Sequence, residues 1–290
     1  MDRLTALLRH FELRSRLYFS GRKCGVMDFG DDDGQGHVHV LRAGTLTLVG
    51  PDGNAVVLDA PTVLFYPYPT THRLQIDPPL EAELVCASLS FGHAEGNAVL
   101  RSLPSPMLVP LDTLPQRGRL LDLLFDEAFG GYCGHQAAVD RLMEVLVIQL
   151  LRHAMRHGLA DSGTLAGLAD PRLAKALVAL HGDPAAQWSL EKLAAQAGMS
   201  RARFAAHFAE VTGLTPGDYV AKWRIGVAQR LLRKGTPLVQ VAEAVGYSGT
   251  SALSRMFTQQ MGQSPRQWLR TQQTRVGDDP HGQLQHAPPS

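Results

Sequence analysis

Three cysteines are the residues best able to change covalent state. Cys24 follows Arg22 and Lys23, whose charges favour the thiolate that oxidants attack. Cys86 sits in an apolar, strand-like run and reads equally well as a core residue, while Cys133, beside Gly131 and Gly134, reads as a loop residue without an evident partner. Cys24 and Cys86 form a redox pair only if the fold brings them within disulfide reach. An odd number of cysteines at unpatterned spacing indicates neither a disulfide scaffold nor a Cys-x-x-Cys metal knuckle, and fits a reducing cytoplasm.

A second pattern lies toward the C-terminus. Leu193-Ala194-Ala195-Gln196-Ala197-Gly198-Met199-Ser200 returns 48 residues later as Val241-Ala242-Glu243-Ala244-Val245-Gly246-Tyr247-Ser248. After one extra residue the match resumes, with Phe204, Phe208, Gly213, Pro216 and Tyr219 against Leu253, Phe257, Gly262, Pro265 and Trp268. Each copy reads as a helix-turn-helix. Small Ala194 and Ala242 let two helices cross closely, glycine permits the tight turn, and Ser200 and Ser248 stand at or just ahead of the N-cap of the second helix. Between the copies, Val220, Trp223, Val227 and Leu231 share one face of a helix expected over residues 216–234, about 28 Å long at ~1.5 Å per residue. That approaches the ~34 Å of one DNA turn, so two recognition helices could enter successive major grooves.

Charge separates along the chain in the same sense. Residues 1–170 carry 14 Lys and Arg against 20 Asp and Glu, a net −6, whereas residues 171–275 carry 14 against 5, a net +9. A basic C-terminal third behind an acidic remainder suits one domain that faces a polyanion and another that does not. At 290 residues, 44% hydrophobic and 19% charged, the composition is that of a globular chain of two domains. Residues 1–17 place Leu4, Leu7, Leu8 and Phe11 on one helical face among arginines, without the apolar run of a secretory signal. No stretch reaches the ~18 apolar residues of a membrane helix, so the expected location is cytoplasmic, with no membrane partner.

The elements that must position these residues change character along the chain. Residues 38–41, 45–49, 55–58, 63–66, 72–76 and 83–91 read as short strands, with Pro51-Asp52-Gly53-Asn54 as a turn between two of them. They suggest a small antiparallel barrel or sandwich. From residue 111 the period becomes helical, through Leu120, Leu121, Leu124 and Phe125, then Val139, Leu142, Met143, Leu146 and Leu150. This second stretch packs on the barrel or on another copy of the chain. Residues 156–170, rich in Gly, Ala, Ser and Asp, hold the expected linker, and the Pro-rich 276–290 reads as a disordered tail. The expected organisation is α+β: a barrel with helices over 1–160, a linker over 161–170, an all-α double helix-turn-helix domain over 171–275, and the tail.

Residues 171–272 resemble the DNA-binding domain of AraC/XylS-type transcription regulators. The resemblance is carried by Ala242-Glu243-Ala244-Val245-Gly246-Tyr247-Ser248, Ser254-Arg255-Met256-Phe257 and Gly262-Gln263-Ser264-Pro265. The first 160 residues are similar to the cupin-type sensor of one subgroup, through Val38-His39-Val40, Pro69-Thr70-Thr71-His72-Arg73-Leu74, Leu84-Val85-Cys86 and Arg141-Leu142-Met143-Glu144-Val145-Leu146. This implies a sequence-specific DNA-binding regulator, an activator or else a repressor, working with promoter DNA and RNA polymerase as a homodimer, rather than an enzyme.

Matching the family's base-reading positions selects Ala202 and Ala206 in the first unit and Ser251 and Arg255 in the second. Arg255 suits a bidentate contact to guanine or a phosphate contact, or else pairs with an acidic side chain of its own domain. The alanines offer only apolar contact with a thymine methyl. Arg201 and Arg203 are expected on phosphates, and Ser200, Thr250 and Ser254 are further candidates of the same kind.

For the sensor, resemblance to cupins implies a metal site of a His-x-His pair, a following glutamate and a later histidine. His37, His39 and His72 supply three such ligands, suited to zinc, iron or copper, but Leu41-Arg42-Ala43 stands where the glutamate is expected. Hydrogen-bonded histidines without metal are the other reading. The positions of Cys24 and Cys86 look similar to those of reactive-chlorine-responsive members, which makes oxidant a candidate signal beside a small organic ligand. The rival function is a cupin oxygenase or isomerase fused to a DNA-binding tail. A DNA-repair protein with a reactive cysteine fits less well, because the C-terminal third contains no cysteine.

Overall fold

A computed structural model of the chain describes residues 2–31, 34–92, 100–114 and 117–277. It divides into two compact units, Met1–Lys175 with Ala206–Gly213, and Ala176–Ala205 with Leu214–Ser290.

The first unit opens with helix α1 (Thr5–Phe11), which buries Leu7 and ends at Glu12, a residue with φ of 47°. The helical face expected over 1–17 therefore stops early. From Leu13 the chain alternates Leu13, Ser15, Leu17 and Phe19 against Arg14, Arg16 and Tyr18, a period of two that makes strand β1 (Leu13–Lys23). Strands β2 (Gly25–Phe29), β3 (Gly36–Ala43), β4 (Leu46–Val49), β5 (Ala55–Leu58), β6 (Thr62–Tyr66), β7 (His72–Ile76), β8 (Ala82–Phe91) and β9 (Met107–Pro110) follow. The six strands expected from the sequence are present with ends shifted by a residue or two, and β1, β2 and β9 are additions.

Among the described residues all pairings are antiparallel and form two sheets, ordered β1-β8-β3-β6-β9 and β2-β7-β4-β5. Their inner faces share a core of Leu41, Leu64, Tyr66, Leu84 and Cys86 from the first sheet and Leu46, Leu48, Leu74 and Ile76 from the second. The alternate residues Val38, Val40, Val63, Phe65, Val85 and Ala87 are buried as well, so the larger sheet is covered on both faces. Helices supply cover: α2 (Arg117–Gly130) and α3 (His135–His157) follow the strands, and α3 docks on β1. There the Asp140 carboxylate accepts the Leu17 N–H at 2.6 Å and the Asp140 carbonyl accepts the Ser15 hydroxyl. This face of α3 belongs to the core of its own chain.

The segment expected as a linker contains helix α4 (Gly163–Ala169), which buries Leu165 and Leu168. Two leucines three residues apart make only one turn of apolar stripe, too short to register as a period. The second unit continues through α5 (Leu173–Gly182), α6 (Leu190–Ala197), α7 (Arg201–Thr212), α8 (Pro216–Arg233), α9 (Leu238–Ala244), α10 (Thr250–Met261) and α11 (Pro265–Gly277), with α5 and α7 shared between the units. Of the tail expected over 276–290, residues 276 and 277 close α11 and the remainder lies outside the described residues. No helix among the described residues is long and apolar enough to cross a membrane.

Candidate functional site

The 48-residue repeat reappears as identical hydrogen bonding. In the first copy the Met199 N–H donates to the Ala194 carbonyl, and in the second the Tyr247 N–H donates to the Ala242 carbonyl, each at 2.9 Å. The glycine between has φ of 65° at Gly198 and 75° at Gly246, the left-handed region that reverses a helix within one residue. Gly246 has a second reason to lack a side chain, since a Cβ there would stand 2.4 Å from the Ala185 carbonyl oxygen. Ser189 caps α6 by accepting the Lys192 N–H at 3.1 Å, and Thr215 caps α8 by accepting the Asp218 N–H at 3.2 Å, with Pro216 at the first helical position. Gly249 is the N-cap of α10, so Ser248 stands one residue ahead of the cap.

Each second helix has one buried and one open face. Phe204 and Phe208 anchor α7, leaving Ser200, Arg201, Ala202, Arg203 and Ala206 exposed; Leu253 and Phe257 anchor α10, leaving Ser251 and Arg255 exposed and Thr250 and Ser254 half-buried. Among the described residues no carboxylate lies within ion-pair distance of Arg201, Arg203 or Arg255, so the reading of Arg255 as a partner of an acidic side chain in its own domain is not borne out. By contrast Arg224 is spent inside the unit. It donates to the carbonyls of Pro184 and Ala186, each at 2.9 Å, and lies over the Tyr247 ring.

Within the barrel, strand alternation puts His37 and His39 of β3 on the inner face, and β7 brings His72 from the opposing sheet to meet them. The three buried imidazoles present ligand atoms within 4.8 Å of one another. The His39 and His72 Nε2 atoms are 2.9 Å apart, a hydrogen-bond distance that a tetrahedral ion with bonds of about 2.0–2.1 Å would open to roughly 3.3 Å. His72 is sandwiched between the rings of Tyr66 (3.7 Å) and Phe29 (4.6 Å), and its Nδ1–H donates to the Thr70 carbonyl at 2.7 Å. That bond leaves its Nε2 as an acceptor. Without an ion, the consistent arrangement has His39 donating from Nε2 to His72, with the Tyr18 hydroxyl donating to His39 Nδ1 at 3.3 Å. To offer both Nε2 lone pairs to a cation, His39 must move its proton to Nδ1 and Tyr18 must become the acceptor.

The electrostatics agree. Burial, aided by His72 and His37, holds His39 well below the usual imidazole range, and burial pushes His72 down to about 4 against the hydrogen bond to Thr70. Both are therefore neutral near pH 7, the form that binds metal. The Tyr66 hydroxyl is buried with no partner among the described residues, a polar atom that a ligand would satisfy. No carboxylate joins the histidine group among the described residues, and Leu41, near the position expected for glutamate, is fully buried in the core. The donor set fits a borderline cation held by three nitrogens.

Tyr18, Phe29 and Tyr66 escaped the sequence reading. Tyr18 occupies a bulge in the β1–β8 register between Leu17 and Phe19, which turns its hydroxyl toward His39 and Cys86. The alternation of residues 13–19 was a signal for the strand, but none marked the bulge.

The two cysteines are not brought together. Cys86 is buried opposite Phe19 and His39, and burial pushes its thiol well up against the hydrogen bond of Tyr18. Cys24, exposed, follows the end of β1, about five residues along the strand or on the order of 16 Å away. A disulfide needs Cα atoms within about 7 Å. In this structure the intrachain pair is out of disulfide reach, because Cys86 lies opposite Phe19 and Cys24 follows five residues later. Arg22, expected to favour a Cys24 thiolate, instead bonds Glu83 at 3.2 Å. Cys133 is exposed between α2 and α3.

Two family models match separate parts of the chain. A family model described as a cupin matches residues 2–156, and one described as a helix-turn-helix domain matches residues 193–271. A protein of Streptomyces antibioticus named as an AraC-like transcription regulator is 44% identical over 187 residues, 63% of this chain and 61% of that protein. The RCS-specific HTH-type transcriptional activator RclR of Escherichia coli is 28% identical over 235 residues, 79% of this chain and 82% of that protein. The solved DNA-binding domain of AdpA, in complex with a target DNA, is similar over 38% of this chain and 98% of its own, at 32% identity and a TM-score of 0.35. The chain thus spans 61% of the length of the first curated relatives it matches.

Proposed function

The chain belongs to the cupin family and carries a helix-turn-helix domain behind its cupin unit, and from that premise we propose that it is an AraC-type transcription regulator that binds promoter DNA through α7 and α10. The observation that carries this reading is the duplicated unit with an open face on each second helix, where Arg201, Arg203 and Arg255 stand without acidic partners among the described residues. The 18 residues of α8 span about 27 Å at ~1.5 Å per residue, a length suited to placing the two units on successive grooves. Arg255 reads guanine, Ala202 and Ala206 contact thymine methyls, and Arg201 and Arg203 hold phosphates, supported by Ser200, Thr250, Ser251 and Ser254. The regulator acts as a cytoplasmic homodimer and recruits RNA polymerase as an activator.

The cupin unit carries the signal rather than catalysis in this reading. His37, His39 and His72 would hold a zinc, iron or copper ion, which supplies a positive centre for an incoming small ligand. The Thr70 carbonyl fixes the tautomer of His72, and the Tyr18 hydroxyl, donor or acceptor by rotation, serves either tautomer of His39. Oxidant is the alternative signal, entering at Cys24, the thiol of the pair that solvent reaches. The deciding experiment is gel-shift binding to fragments flanking the protein's own gene. A shift that competes away with the same fragment but not with scrambled DNA is expected, and equal competition by both overturns the proposal.

A further inference from the structure

Away from the sheets, the first unit contains a groove of about 650 Å³ walled by residues 2–4 ahead of α1, by α3 and by the end of α4, into which Arg3, Arg152 and Arg156 converge. Its size falls within the roughly 300–1,000 Å³ of small-molecule sites. Arg152 and Arg156 stand four residues apart near the end of α3, where two like charges repel along one helix face. No carboxylate among the described residues lies within ion-pair distance of any of the three arginines. Asp2 is the one acid in the lining; its oxygens accept the N–H groups of Leu4 (3.1 Å) and Thr5 (3.0 Å) and the Thr5 hydroxyl, and its charge also feels Arg152, so it offsets one of the three positive charges at most.

Backbone carbonyls hold two of the guanidiniums in place of acids. Arg3 Nη1 donates to Leu168 at 3.0 Å and Ala169 at 3.1 Å, and Arg156 Nε donates to Arg152 at 3.3 Å. A carbonyl orients a guanidinium without cancelling its charge, so the groove keeps a net positive charge on positioned donors. Leu4, Met155 and the arginine stems add an apolar wall.

We propose that this groove binds a small organic carboxylate, its head on the guanidinium forks and its hydrocarbon body on Leu4 and Met155. Guanidinium matches carboxylate and phosphate alike in bidentate geometry, and the apolar wall selects the carboxylate with a body. A DNA phosphate is the poorer fit because residues 1–170 carry a net −6 that repels a duplex. The site is separate from the histidine cluster, and its test does not depend on the DNA-binding reading.

Calorimetric titration of the full chain with hexanoate, its neutral isostere hexanamide and inorganic phosphate decides the matter. Saturable binding of one hexanoate per chain is expected, with hexanamide and phosphate at least tenfold weaker. Arg152→Gln with Arg156→Gln should weaken hexanoate at least tenfold while leaving promoter binding unchanged. The Arg152→Lys, Arg156→Lys variant, which keeps charge and stem, gives the same comparison if the glutamines impair folding, with a smaller loss expected. Absence of saturable hexanoate binding, equal affinity for hexanamide or phosphate, or variants that lose DNA affinity and not hexanoate affinity would each overturn the assignment.

Discussion

Arg255 projects from the open face of α10 with no acid within ion-pair distance among the described residues, so its expected partner is a base edge. Arg255→Ala should cost about 1–3 kcal/mol on the cognate site and much less on scrambled DNA, as read by competition binding. An equal loss on both would assign the side chain to phosphate. The cysteines differ as sharply: Cys24 should react with a thiol reagent in the native protein, and Cys86 only after unfolding. A DNA-binding response to hypochlorous acid should accordingly vanish in Cys24→Ser and persist in Cys86→Ser. The histidines give a pH dependence whose sign follows from burial. His39 and His72 are depressed in the folded chain, His72 to about 4, whereas unfolded imidazoles titrate near ~6.5. The folded state then binds fewer protons, so stability present above pH ~6.5 is lost as pH falls toward 4, by up to about 3 kcal/mol for His72 alone. Denaturant unfolding with chelator at pH 7, 6 and 5 should show this loss in the wild type and a smaller one in His72→Asn.

At the scale of elements, the helix-turn-helix rests on a glycine that two constraints select together. Gly246 has φ of 75° and would carry a Cβ 2.4 Å from the Ala185 carbonyl, a backbone atom that cannot turn aside. Gly246→Ala should destabilise the second unit by about 2 kcal/mol or more, lowering its thermal midpoint and abolishing specific DNA binding. Gly198, with φ of 65° but open space around it, carries only the conformational cost, and its alanine variant should be milder. The repeat was legible because both copies spend the same residues on the same turn. The bulge at Tyr18 was not, since a bulge depends on the register of β1 against β8, which no run of residues 13–23 contains.

For the whole molecule, charge segregation is the property that function draws on. A net +9 over residues 171–275 predicts binding dominated by counterion release, with log affinity falling against log salt at a slope of about −5 or steeper. A flat salt dependence would remove the basis for placing that segment on DNA. The −6 of residues 1–170 keeps the cupin unit from competing for the same surface.

Local order and short spacings were enough to determine a good deal. The 48-residue repeat, the alternation that puts His37 and His39 on one face, and six of the strands all follow from neighbours along the chain. Only the tertiary structure decided what depends on distant segments meeting. It set His72 against His39 across two sheets and drew Tyr18 into their hydrogen bonding. It held Cys24 and Cys86 about five residues apart along β1, beyond disulfide reach, and turned Arg3, Arg152 and Arg156 onto one groove. The reason is physical: periodicity reports which side a residue faces, whereas a site is made where faces from remote elements are packed together, and that is set by register and burial across the whole unit.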